Sequence, residues 1–155
     1  MNSAIIFRKA TGNDVKPLSN LAYNSEKYLG YSLEYMEKFS AYYNVTEDFI
    51  RKHLVYVMEN EKEIVGFWGL SNSDKDWELE FFYIAPEYIG KGWGQILWRH
   101  LVTKCKEQDI LKFQLVTSPQ STRFYEKMGA IVITQVESLL EKGRMIPKLE
   151  YVILT

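Results

Sequence analysis

Two clusters in the 155-residue chain combine residue types that could do chemistry: Gly90-Lys-Gly-Trp-Gly94, and the pair Glu78 and Glu80 just ahead of it. Glycines allow a backbone to approach a phosphate with no Cβ in the way. If a helix starts at the last of them, its first-turn amides have no internal partners and its dipole adds partial positive charge, which makes an anion site. Paired carboxylates suit proton abstraction, because a like charge nearby and apolar neighbours such as Phe82 raise a carboxylate's pKa. A glycine cluster alone is equally well read as a tight strand-to-helix turn without a ligand. It is not a Walker A loop, since Gly90-Lys91-Gly92 lacks the Ser or Thr after Lys. Nor is it a dinucleotide fingerprint, because its spacing is G-x-G-x-G and it lies in mid-chain.

The elements that would position these residues follow from pattern. Trp77 to Ile84 reads as a strand, with Trp77, Leu79, Phe81 and Tyr83 on one face and Glu78, Glu80, Phe82 and Ile84 on the other. Glu80 would then lie on the same side as Glu78, about 7 Å further along. Pro86 ends the strand, and Trp93, Ile96, Leu97, Leu101 and Cys105 make the apolar stripe of a long helix after the glycines. Ala4 to Arg8 reads as a first strand, with Thr11 as a cap and Val15, Leu18, Leu21 and Ala22 at helical spacing behind it. Tyr28 to Asn44, dense in tyrosine, reads as one short helix or two. Thr46 opens another helix that runs to about His53, and Leu54 to Met58 and Ile64 to Leu70 read as a hairpin. Phe113 to Thr117 is a strand, Ser118-Pro119 a helix start, and Gly129 a stop. Ile131 to Val136 and Leu149 to Leu154 are the last strands, joined by a polar loop containing Gly143 and Pro147. The order βα(α)βββαβαββ predicts an α/β (α+β) class: a mixed, mostly antiparallel sheet flanked by helices, in one domain over 1–155.

Composition narrows the function classes. A net charge of -1, with 46% apolar and 25% charged residues, is that of an ordinary soluble domain and shows no global basic excess for nucleic acid. One cysteine, Cys105, excludes an internal disulfide, and no Cys/His spacing suggests a metal. Met1 to Lys9 does not read as a signal peptide, and no run approaches the roughly 18 apolar residues of a membrane span. The expectation is a cytoplasmic protein with no metal, no nucleic-acid partner and no membrane contact. Exposed aromatics would suit a homodimer surface.

Ile84-Ala-Pro-Glu-Tyr-Ile-Gly-Lys-Gly-Trp-Gly-Gln-Ile-Leu97 resembles the acetyl-CoA motif of the GCN5-related N-acetyltransferases (GNAT), a strand and a proline followed by Q/R-x-x-G-x-G/A. Ser121-Thr-Arg-Phe-Tyr-Glu-Lys-Met-Gly129 is similar to the family's A-x-x-F-Y-x-x-x-G-F segment, and Arg8-Lys-Ala-Thr11 also fits. The resemblance covers most of the chain. Three positions depart from it. Ile89 stands where Arg or Gln is usual, Ala130 replaces an aromatic, and Ser118 stands where Asn is common. Because the family holds pyrophosphate largely through backbone amides, binding should survive Ile89, though weakened.

The resemblance implies an acyl-CoA N-acyltransferase fold and acetyl transfer from acetyl-CoA to a primary amine by direct attack. It places the coenzyme on the strand end, Ile84 and Ala85, where a backbone N–H polarises the thioester carbonyl. The rest of the coenzyme site would be the turn: Ile89, Gly90, Lys91, Gly92, Trp93, Gly94 and Gln95. Glu78 would be the base, with Glu80 beside it, and Tyr125 the acid that protonates the leaving thiolate. Tyr28 and Tyr31, with Tyr35, Phe39, Tyr42 and Tyr43, would wall the site of a small amine, a peptide N-terminus or a lysine. Arg123 and Lys127 would lie near the phosphates. His53, His100 and Cys105 read as structural. Two other classes remain open from the residues alone: a non-catalytic acyl-CoA-binding module, favoured by Ile89, and a phosphate- or nucleotide-binding domain unrelated to CoA.

Overall fold

The computed structural model describes residues 4–73 and 76–154. In chain order the elements are β1 (Ile5–Lys9), a 3-10 turn (Gly12–Asp14), α1 (Val15–Lys27), α2 (Leu33–Tyr42), α3 (Glu47–Lys52), β2 (Leu54–Asn60), β3 (Glu63–Ser73) and β4 (Asp76–Ile84). They continue with a 3-10 turn (Pro86–Tyr88), α4 (Trp93–Glu107), β5 (Lys112–Val116), α5 (Thr122–Lys127), β6 (Ile131–Glu137) and β7 (Met145–Val152). The strands form one sheet in the order β1-β2-β3-β4-β5-β7-β6. Neighbours are antiparallel except β4 and β5, which run parallel and pair at a single position, Glu78 with Gln114.

Helices cover both faces of the sheet. Leu97, Trp98, Leu101 and Cys105 of α4 pack with Phe113 and Leu149 on one side. Leu18 and Ala22 of α1 and Met36 and Phe39 of α2 pack with Val57, Phe67 and Phe81 on the other. Cys105 is a core residue, and burial pushes its thiol up to about 12. No helix among the described residues is long and apolar enough to cross a membrane.

The tyrosine-rich stretch forms a single helix, α2, one of its two expected forms, started by Ser32, whose hydroxyl accepts from the Tyr35 N–H at 3.1 Å. Three other local readings need correction. The helix expected at Ser118-Pro119 begins later, at Thr122, because residues 118–121 close a turn instead (Ser121 N–H to Ser118 O, 3.1 Å). Pro147 lies inside β7 rather than in the loop. It sits just beyond the last β5–β7 pair, Val116 with Lys148, so its missing N–H falls where that pairing has ended.

The third correction concerns β4. Phe81 pairs with Gly69 and Leu79 with Leu70, which leaves Glu80 as an extra residue, a β-bulge. The bulge breaks the alternation. Leu79 packs with Trp77, Phe82 and Ile84 on the α4 side, whereas Phe81 and Tyr83 pack on the α1 side. The apolar face of β4 is therefore Trp77, Leu79, Phe82 and Ile84, not the odd-numbered set that a regular period of two predicts.

His100, in mid-α4, stacks on Phe7 with ring centroids 4.0 Å apart, and its Nδ1 accepts the indole N–H of Trp68 at 3.1 Å. Burial, with Lys104 nearby, lowers its pKa to about 4. The unfolded chain takes up the proton near pH 6.5 and the folded one only near 4. The stability this contributes is therefore full above pH 6.5 and lost as the pH falls toward 4. With screening of a half-exposed ring, the loss is about 1–2 kcal/mol. Urea unfolding at pH 7 and pH 4.5 should show a smaller acid loss in His100→Phe than in the wild type. Equal losses would exclude His100 as the source.

Candidate active site

Past Glu78 and Gln114, β4 and β5 diverge and a cleft of about 650 Å³ opens between them. Phe82, Tyr83 and Ile84 line one wall, and Leu115, Val116 and Thr117 the other. At one end the chain leaves β4 through Pro86–Tyr88 and enters α4. Gly90 and Gly92 have φ of 80° and 89°, in the left-handed region. A Cβ on either would meet nothing within 4 Å, so conformation rather than space demands glycine there. Gly94 has the opposite reason, because a Cβ there would lie 3.0 Å from Phe124 of α5. Gly90, Gly92 and Gly94 all border the cleft. The first-turn amides of α4, free of intrahelical partners, thus stand at its rim, where they can receive an anion. Among the described residues, no group of three His, Cys, Asp or Glu side chains could hold a metal.

Most of the expected coenzyme residues border this end of the cleft: Ile84, Ile89, the three glycines and Gln95. Lys91 is exposed and does not line it, and Trp93 is turned onto the Tyr88 ring, with centroids 5.5 Å apart. Ala85 is buried and its N–H is committed to the Val65 carbonyl at 2.8 Å, so it cannot polarise a substrate carbonyl. Successive N–H groups of a strand point to opposite edges, so the Ile84 amide is the one directed away from β3, toward the gap.

Tyr125, on α5, is buried among Phe82, Trp98 and Phe124, and it lines the cleft. Burial, reinforced by the charge of Glu26, raises its phenol well above the usual range, so it stays protonated at neutral pH. Of the β4 carboxylates, Glu80 is on the cleft wall, where it accepts a hydrogen bond from the buried Ser71 hydroxyl. Glu78 is half-buried and does not itself line the cleft. Burial raises its pKa, Lys148 opposes that rise, and Glu80 adds to it. Both carboxylates bear on Tyr43, whose phenol burial raises first.

Tyr28, Tyr35, Phe39 and Tyr43 line the far end of the cleft. Tyr31 does not; it stacks on Tyr35 at 3.9 Å and accepts from Arg144 at 3.4 Å. Sequence reasoning missed Glu26, which lines this end and accepts the Tyr35 hydroxyl at 2.9 Å. One signal was available: Leu18, Ala22 and Glu26 repeat every four residues, so a carboxylate continues the apolar stripe of α1. Arg144 and Ser138, from the β6–β7 connection, also reach this end, and nothing in their local sequence marks them.

Comparison with known proteins adds independent evidence. The profile described as "Acetyltransferase (GNAT) family" matches residues 21–130. An uncharacterized N-acetyltransferase, ycf52, of Gracilaria tenuistipitata var. liui is 26% identical over 89 residues, 56% of this chain and 48% of that protein. A candidate [ribosomal protein bS18]-alanine N-acetyltransferase of Bacillus subtilis (strain 168) is 30% identical over 95 residues, 59% of this chain and 62% of its own. The matched stretch thus spans roughly half to three-fifths of these curated relatives. Among solved structures, the PaiA N-acetyltransferase of Thermoplasma acidophilum, in complex with coenzyme A, superposes with a TM-score of 0.80 at 25% identity. That match covers 98% of this chain and 99% of the other.

The left-handed turn gives a test that needs no ligand. Gly92→Ala should lower stability by about 1–2 kcal/mol in denaturant unfolding, and Gly92→Asn by less, since Asn tolerates positive φ. If the two variants lose the same amount, backbone conformation is not what glycine supplies.

Proposed function

This chain belongs to the acetyltransferase (GNAT) family, and from that premise we propose that it moves an acetyl group from acetyl-CoA to a primary amine in a ternary complex. One observation carries the reading. A single cleft has helix-start amides at one end, a protonated phenol, Tyr125, inside it, and carboxylates at the other end. The PaiA protein, similar over nearly the whole chain, was solved with coenzyme A, which supports the coenzyme assignment.

The amides of Gly90 to Gly94 hold the pyrophosphate, with Ile89 adding apolar contact in place of a polar side chain. The acetyl carbonyl accepts from the Ile84 amide, which faces the gap, so negative charge developing on its oxygen meets a fixed donor. The amine gives up a proton to the β4 carboxylates, with Glu80 at the wall and Glu78 behind it. The neutral nitrogen then attacks the thioester carbon. The C–N bond forms and the C–S bond breaks, Tyr125 protonates the departing thiolate, and the second amine proton, released as the amide forms, restores the Tyr125 phenol. Burial suits Tyr125 to this role twice over, because it keeps the proton at rest and excludes water that would compete for the thioester.

With acetyl-CoA and a panel of amines, CoA release and acetylated product should appear together. Tyr125→Phe should lower kcat about 10–100-fold while the KM for acetyl-CoA stays within about twofold. Glu80→Gln should lower kcat and shift the acidic limb of the pH–rate profile. Full kcat in Tyr125→Phe would remove the phenol from the mechanism, and no CoA release with any amine would overturn the reading.

A further inference from the structure

The reaction as written leaves one cleft carboxylate without a role. Glu26 lies in the last turn of α1, at the end of the cleft away from the glycine turn. It is partly removed from water, and among the described residues its carboxylate accepts one hydrogen bond, from Tyr35 at 2.9 Å. An ionised carboxylate has room for about four. Tyr35, Tyr43 and Tyr83 surround it, and burial and its own charge keep all three phenols neutral. Arg144 is paired with Glu141 at 2.9 Å and lies over the Tyr31 ring, and its charge offsets only part of the rise that burial imposes on Glu26. The chamber is therefore an aromatic box with a carboxylate whose remaining lone pairs call for a donor. A buried charge is costly unless paired, and an ammonium group answers it, with three N–H donors for the carboxylate and a charge that aromatic faces attract.

Building on the acetyl-transfer reading above, we infer that Glu26 is the anchor of the acceptor's ammonium group, and that it selects a primary amine on an apolar stem with no carboxylate beside the nitrogen. The stem packs on Phe39, Leu140 and Ile146, which line the same end. Glu26 captures the amine in its charged form, the abundant one at neutral pH, and Glu80 on the same cleft takes the proton as the nitrogen attacks. An α-carboxylate would enter a chamber that already holds Glu26 and Glu80, and the cation beside them, Arg144, is already engaged by Glu141. A peptide N-terminus, whose neighbouring carbonyl is an amide, does not meet that penalty.

Three acceptors with one skeleton isolate the charge: 2-phenylethylamine, phenylalaninamide and phenylalanine. The wild type should use the first two with kcat/KM at least about 10-fold above the third. Glu26→Gln keeps an oxygen for Tyr35. It should raise the KM for 2-phenylethylamine about 10–100-fold, leave the KM for acetyl-CoA unchanged and narrow the preference over phenylalanine. Tyr35→Phe, which only loosens the carboxylate, should shift the amine KM in the same direction by less. Calorimetric titration of the amine into the protein–CoA complex reads the anchor without turnover. Binding lost in Glu26→Gln but with no acetylation by the wild type would keep the anchor and overturn the acetyl-transfer reading. Turnover with an amine KM indifferent to Glu26 would do the reverse. A wild type that prefers phenylalanine would overturn the selectivity.

Discussion

Between β4 and β5 the sheet pairs at one position, Glu78 with Gln114, and then opens. Everything at the site depends on that divergence. Two parallel strands held together along their length would satisfy each other's edges and leave no gap. Here the backbone groups on the facing edges beyond Glu78 have no strand to meet, and polar groups left that way need water or a ligand. The gap stays open because rings fill the layer beneath it. Phe82 of β4, Trp98 of α4 and Phe124 and Tyr125 of α5 form a contiguous cluster with centroids 5.2–6.4 Å apart. The same cluster fixes where α4 starts relative to α5. It explains why Gly94 must lack a side chain, since a Cβ there would lie 3.0 Å from Phe124.

The bulge at Glu80 is the second device, and it acts on the chemistry directly. A regular strand would send Leu79 and Phe81 to one face and keep both glutamates on the other. The extra residue lets Leu79 enter the α4 core and Phe81 the α1 core, while Glu80 stays on the cleft. One inserted position thus serves both hydrophobic cores and still presents a carboxylate between them. Ser71, on the neighbouring strand, gives that carboxylate a donor and so fixes its position on the wall.

What could be read from the sequence divides along the same lines. Order, class and the glycine turn were legible, because they depend on local periodicity and on residues whose backbone preferences are strong. The bulge was not. Period-two alternation at Trp77 to Ile84 looks complete, and only the register with Gly69 and Leu70 reveals the extra residue. The helix after Ser118-Pro119 was misplaced because its cap signal is spent on a turn. Pro147 was assigned to a loop because its permission to sit in β7 depends on where a distant strand ends. The residues of the glycine end come from one contiguous segment, and the sequence points to most of those that line the cleft there. At the far end the sequence points to Tyr28, Tyr35, Phe39, Tyr43 and Glu80 but not to Glu26 or Arg144, which only tertiary structure brings beside them.

This difference in legibility has a physical counterpart in the cleft's polarity. The glycine end presents fixed partial positive charge, made from backbone and helix dipole, and any sequence that forms the turn will supply it. The far end presents negative charge made from side chains, held inside an aromatic wall that disfavours every other charged form. Burial and Glu26 keep Tyr125 and Tyr83 protonated, and the same burial raises Glu26 itself. An anion drawn to one end and a cation drawn to the other meet where Tyr125 stands, which is the geometry a group transfer between them requires. The backbone end can serve one coenzyme across many sequences, whereas the side-chain end changes with single substitutions. Under the acetyl-transfer reading proposed above, selectivity for the acceptor falls to Glu26 and its neighbours rather than to the glycines.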